Sequence, residues 1–145
     1  MNKKNYTSTI RLTILSLVVC GLLFPVVVTG LAQLFFPYQA NGEIVQLNGH
    51  NIGSNLIAQN FTSPMFFHPR NDSASGMDPD ITVQDAYSQI PTISAATGIS
   101  SDALKTIVDG NTEKTMLIAG DYYVNVLNLN ILLITEFPTT YQAFR

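Results

Sequence analysis

Residues 12–36, LTILSLVVCGLLFPVVVTGLAQLFF, carry no charged side chain and lead directly into the polar turn of FPYQANG, residues 36–42. As a helix these 25 residues would extend about 37 Å, enough to cross a hydrocarbon layer of about 30 Å with some tilt. Sixteen of them are Leu, Ile, Val or Phe, for a gross insertion energy on the order of −7 kcal/mol. Gly21, Pro25, Gly30 and Gln33 reduce that figure. A cleaved signal would have a shorter apolar centre and a small-residue cleavage site, for which Gly30-Leu31-Ala32 is a weak candidate, and the apolar run continues beyond it through Leu34, Phe35 and Phe36. A lipoprotein reading would use Cys20, but Val19 before it is larger than such a site wants. The reading adopted is an uncleaved anchor.

This divides the chain into an N-terminus at 1–11, a transmembrane helix at 12–36 and one small domain at 37–145. Lys3, Lys4 and Arg11 precede the helix, and no basic residue follows until Arg70. By the positive-inside bias the N-terminus is expected in the cytoplasm and the domain outside it, at the cell membrane. From Pro37 onward, four basic residues stand against all ten acidic ones, so nucleic acid is excluded as a partner for want of a basic face. The lone cysteine, Cys20, lies in the span, and the domain must rely on its core. Pro25 should kink the span. Gly21 and Gly30 either admit another helix or merely soften a lone anchor.

Within the domain, Glu43–Leu47 and Asn51–Ile57 flank Asn48-Gly49, the dipeptide best suited to a tight hairpin turn. The stretch NFTSPMFFHPRNDSASGMDPD, 60–80, reads as a long loop pinned by Phe61, Met65, Phe66 and Phe67. Thr82 followed by Asp85 resembles a capping box, which predicts a helix over 83–96 that stops at Gly98 and is bent or interrupted by Pro91. A second helix should start after Ser100 or Ser101 and run to Gly110. Two short strands are expected around Ala119-Gly120-Asp121, and the residues from Val124 onward form either a strand or a strand passing into a closing helix. The tail TEFPTTYQAFR is expected to fray. The pattern is α+β.

Catalytic signatures are missing. In the stretch Gly98 to Thr106, aligned on Lys105-Thr106, Leu104 occupies the second glycine position of a P-loop. His50 and His68 lack zinc spacing. Asp78, Asp80, Thr82 and Asp85 offer oxygens but lack the glycine and distal glutamate of a calcium loop, so turn and cap duty suits them better. Ser54 and Ser75 lack the nucleophile elbow. Asn60-Phe61-Thr62 and Asn71-Asp72-Ser73 match the glycosylation acceptor pattern.

The ordered segments FPYQANG, GSNLIAQNF, FFHPR, SGMDPDI, YSQIP and VNVLNLN, all following a single N-terminal span, resemble one family, the C subunit of the potassium-transporting Kdp ATPase (KdpC family). The resemblance runs from the anchor to about Leu133. It implies a single helix carrying an extracytoplasmic α+β domain, and a non-catalytic subunit assembling with a channel-like potassium-binding subunit and a separate ATP-hydrolysing subunit. It also implies a catalytic chaperone that raises the latter's affinity for ATP, although an outward-facing domain meets no cytoplasmic ATP and the sequence has no phosphate cradle. No other cofactor is implied.

By position, Phe36, Pro37, Gln39, Ala40, Asn41 and Gly42 match the family's membrane exit. Gly53, Ser54, Leu56, Ile57, Gln59 and Phe61 match the next strand and loop, and Ser75, Gly76, Asp78 and Pro79 the turn before the helix. Gln89 and Pro91 match its Gln-x-Pro, and Val124, Asn125, Val126, Leu127, Leu129 and Asn130 the closing segment. Gln89 is the residue singled out for nucleotide, against the structural alternative of an amide tying backbone near Pro91. Between Arg70 and Ser75 the chain lacks a longer insertion usual in relatives. Ala58, Asp80, Thr92 and Asn128 stand where relatives carry glycine, histidine, arginine and glutamate. The competing readings are a membrane-anchored extracytoplasmic enzyme and a secreted binding domain.

Overall fold

The computed structural model describes residues 3–70, 78–114 and 122–144. The chain divides into two compact units, 1–41 and 42–145.

The first unit is helical. Helix α1 (Lys3–Val18) passes through a wider π-helical turn (Val19–Leu23) into α2 (Phe24–Phe35). The wide turn lies just ahead of Pro25, and Phe24 N donates to Val19 O across it. A proline has no N–H to give the preceding turn, and widening that turn is one way a helix absorbs the loss. The helix starts at Lys3, well before the uncharged stretch. Its segment from Tyr6 to Phe35 is long and apolar enough to cross a membrane. Thr13 and Ser16 turn their hydroxyls onto Thr9 O and Thr13 O, at 2.9 and 3.0 Å, which removes two free polar groups from its surface. A single turn, α3 (Pro37–Ala40), follows.

The second unit opens with the expected hairpin. Strands β1 (Ile44–Leu47) and β2 (His50–Ser54) pair antiparallel, with Leu47 opposite His50 and Ile44 opposite Ser54. Asn48 and Gly49 take φ of +53° and +81°, the two positive angles of a turn whose twist matches the strands. A register shift between Val45 and Gln46 marks a bulge.

A second sheet has the order β3-β5-β4 with antiparallel neighbours: β3 (Asp80–Thr82), β5 (Tyr122–Asn125) and β4 (Glu113–Lys114). Between β3 and β4 lie α4 (Val83–Thr97) and α5 (Ser101–Gly110), and β5 runs straight into α6 (Val126–Glu136). The second alternative for the closing segment is thus the one adopted. Caps set each boundary: Thr82 Oγ1 accepts from Asp85 N, Ser100 Oγ from Ala103 N and Asn125 Oδ1 from Asn128 N. Gly98 ends α4 in the left-handed region at φ +74°. Pro91 does not interrupt α4. It is exposed, as is Tyr87 one turn earlier, so the carbonyl that Pro91 cannot serve lies on the wet face.

Helical spacing delivers Ala86, Ile90 and Ile93 from α4, Leu104 and Val108 from α5, and Val126, Leu129 and Leu133 from α6 into one core, closed by Ile81 and Val124 of the sheet. Phe66 and Phe67 join it from the long loop, as the aromatic reading predicted. As far as Phe144 the tail packs on the domain instead of fraying. Tyr141 is fully buried and donates to Met65 O at 2.7 Å, and Phe144 packs edge-on against Phe66 at 4.9 Å. The aromatic contacts outweigh the polar composition that suggested fraying. The Ala119-Gly120-Asp121 turn, Ser75, Gly76 and the Asn71 acceptor triplet lie outside the described residues.

Candidate functional site

The best-organised polar feature of the domain is a pair of side-chain amides closed on consecutive residues of the long loop. Asn130, on α6, accepts from Phe67 N at 2.8 Å and donates to Phe67 O at 2.9 Å. Gln89, on α4, accepts from His68 N at 2.8 Å and donates to His68 O at 3.1 Å. One amide from α6 and one from α4 thus hold two consecutive residues of the loop. The backbone partner of Gln89 is His68 in the loop, not the chain beside Pro91. The His68 ring is also engaged, with Nε2 3.0 Å from Ser63 O.

A second hub forms on Asn125, between β5 and α6. Besides capping α6, it donates to Asn55 O and to Asp80 Oδ1, each at 3.0 Å. Burial is the main force raising the Asp80 carboxyl above the ordinary aspartate value; the Asn125 amide opposes it, while the charges of Asp78 and Glu113 add to it. Asp78 Oδ1 accepts from Asp80 N, and Pro79 O accepts from Val126 N, so this turn is tied to both the sheet and α6.

The remaining residues carried over from the resemblance belong to both units. Pro37 opens α3, and Gln39 is exposed. Asn41 and Gln33 exchange reciprocal amide hydrogen bonds at 3.2 Å, and Asn41 also donates to Pro37 O. Gly42 takes φ +78°, and its carbonyl accepts from Ser54 Oγ at 2.6 Å, while Leu56 N donates to the same hydroxyl. A Cβ on Gly53 would lie 2.8 Å from Gln59 Cδ, so glycine there admits the Gln59 side chain, which donates to Ile57 O. Phe61 packs on Phe66 at 5.6 Å.

Three grooves adjoin the amide clasp. One, of about 420 Å³, is lined by Thr62, Phe66, His68, Ser88, Gln89 and Thr92. Another, of about 450 Å³, adds Arg70, Thr82 and Asp85. A phosphate entering the latter would meet the Asp85 carboxylate, and Gln89 already spends one donor and one acceptor on His68. An apolar groove of about 320 Å³ lies between Leu47, Ile52, Phe61, Phe66, Leu127 and Ile131. Among the described residues no group of three His, Cys, Asp or Glu converges as a metal site.

The family model described as "K+-transporting ATPase, c chain" matches residues 6–72 and 71–135. The chain belongs to the KdpC family. Proteins named potassium-transporting ATPase KdpC subunit from Koribacter versatilis and Caldanaerobacter subterraneus are each 31% identical over 180 residues, covering 89% and 88% of this chain and 93% of each relative. One from Staphylococcus haemolyticus is 31% identical over 175 residues, 84% of this chain and 94% of the relative. These alignments are longer than the 145 residues of the chain, and the family match breaks at 71–72, just after Arg70, where the sequence lacks the longer insertion expected in relatives. Within the KdpC motifs, sequence reading marked Asn130 and Asn125 without assigning them a task. The available signal was a repeated asparagine inside the apolar run VNVLNLNILL, since a buried amide needs partners. The Gln33–Asn41 pair was missed.

Proposed function

We propose that this chain is a non-catalytic accessory subunit of an ATP-driven potassium-uptake complex. It is anchored by the helix ending at Phe35, with its N-terminus in the cytoplasm and its domain outside. Its role is to support assembly with a channel-like potassium-binding subunit and a separate ATP-hydrolysing subunit, which carries the hydrolytic site. The observation that carries the reading is the family match, which spans both the apolar helix and the domain in one chain. The amide clasp supports it from the structural side. The polar residues that the family motifs place in the domain, Asn125, Asn130 and Gln89, hold backbone together. Potassium selection belongs to another chain, because a single span encloses no filter. The nucleotide role implied for Gln89 ranks below assembly, since an external domain is separated from cytoplasmic ATP.

Pull-down through a spaced C-terminal tag in mild detergent should bring along a multi-spanning subunit and a P-type ATPase subunit. Removing residues 1–36 should abolish that association. Full assembly by the truncated domain would overturn the reading, as would recovery of the intact chain alone.

A further inference from the structure

Among the described residues of the second unit, the large aliphatic side chains left exposed are Ile44, Leu56 and Ile57, at 41%, 54% and 48%. All three belong to the end of the hairpin opposite the Asn48-Gly49 turn. Ile44 pairs with Ser54, and Leu56 is bonded to the Ser54 hydroxyl. That hydroxyl in turn holds Gly42 O. The chain also ties this end to the exit of the apolar helix. Asn41 is doubly bonded to Gln33, near the end of α2, and Gly42 is the next residue, about 3.8 Å along the backbone. Whatever the orientation of the two units, covalent connection keeps the base of the hairpin within reach of the point where α2 leaves the hydrocarbon. Gln33 and Asn41 satisfying each other's amides suits that boundary, where water is scarce.

We propose that Ile44, Leu56 and Ile57 form an interfacial foot that rests in the headgroup and upper acyl region of the bilayer. The proposal rests on the helix being a membrane anchor. Apolar side chains held beside a span bury themselves about 5–10 Å into that layer, as the apolar faces of interfacial helices do. Otherwise these three exposed aliphatic side chains would stand in water. The occupant is lipid, because only residues 36–43 separate the end of α2 from Ile44, and the faces of the span that no partner helix covers meet lipid.

The full chain would be reconstituted in phosphatidylethanolamine/phosphatidylglycerol vesicles doped with phosphatidylcholine brominated either near the carboxyl end or near the methyl end of its acyl chains. An environment-sensitive fluorophore is placed on native Cys20 in one sample. In a Cys20→Ser background it is placed on Leu56→Cys, Ile57→Cys or, at the far end of the hairpin, His50→Cys. The expected result is quenching of the Cys20 label by deep bromines, and quenching of the Leu56 and Ile57 labels by shallow ones severalfold more strongly than at His50. If Cys20 is quenched but the Leu56 and Ile57 labels respond no more than His50, the foot is refuted while the anchor stands. An unquenched Cys20 removes the anchor and the foot together. Protection of both labels from aqueous iodide without quenching by lipid bromine means a protein covers the patch, and also refutes the proposal.

Discussion

At the residue scale, the two clasping amides differ in what they protect. Phe67 is fully buried, so removing Asn130 strands its N–H and C=O away from water. Asn130→Ala should therefore cost about 2–4 kcal/mol in urea denaturation of the detergent-solubilised chain. Asn130→Asp will not rescue it, because a carboxylate cannot donate to Phe67 O. Gln89 and His68 are only half-buried, water can replace part of what is lost, and Gln89→Ala should cost about 1–2 kcal/mol. If Gln89 serves structure alone, the same variant leaves the ATP dependence of the assembled pump unchanged. A raised KM for ATP with unaltered stability would restore the nucleotide role.

At the scale of elements, local rules act where local chemistry is unambiguous. Gly98→Ala should destabilise the protein by about 1 kcal/mol in the same denaturation experiment, since φ of +74° is strained for a residue with a Cβ. Thr82, Ser100, Gly98 and Asn48-Gly49 announce their turns and caps by residue type, so the hairpin and α4 and α5 were legible in the sequence. The closing segment was less so, because VNVLNLNILL fits strand and helix alike until Asn125 is seen capping α6. The tail and the amide clasp were not legible. Both depend on partners 21 or more residues away in the chain, and no local pattern encodes a contact of that range. Pro91 looked like a breaker because propensity ignores which side of the helix meets water.

At the scale of the whole molecule, the titrations of buried Tyr141 and half-buried Asp80 should shape the stability curve. Burial pushes the Tyr141 hydroxyl up to about 12 from an ordinary value of 10.0. The unfolded chain ionises this group first, so its contribution is complete below pH 10 and is lost as pH rises toward 12. Tyr141→Phe should flatten that alkaline loss in pH-dependent unfolding. Asp80 is also raised, so the folded state holds its proton more tightly than the unfolded one. Its contribution is greatest below the unfolded value of 3.8 and disappears as pH rises through the higher folded value. Asp80→Asn, which keeps an oxygen for Asn125, should remove that slope.

The clasp on Phe67 and His68 carries one more consequence. Side chains supply these two peptide groups with the partners a neighbouring strand would give, so a stretch without secondary structure should behave in deuterium exchange like the middle of a sheet. The Phe67 amide in particular should take up label only as fast as the domain unfolds globally.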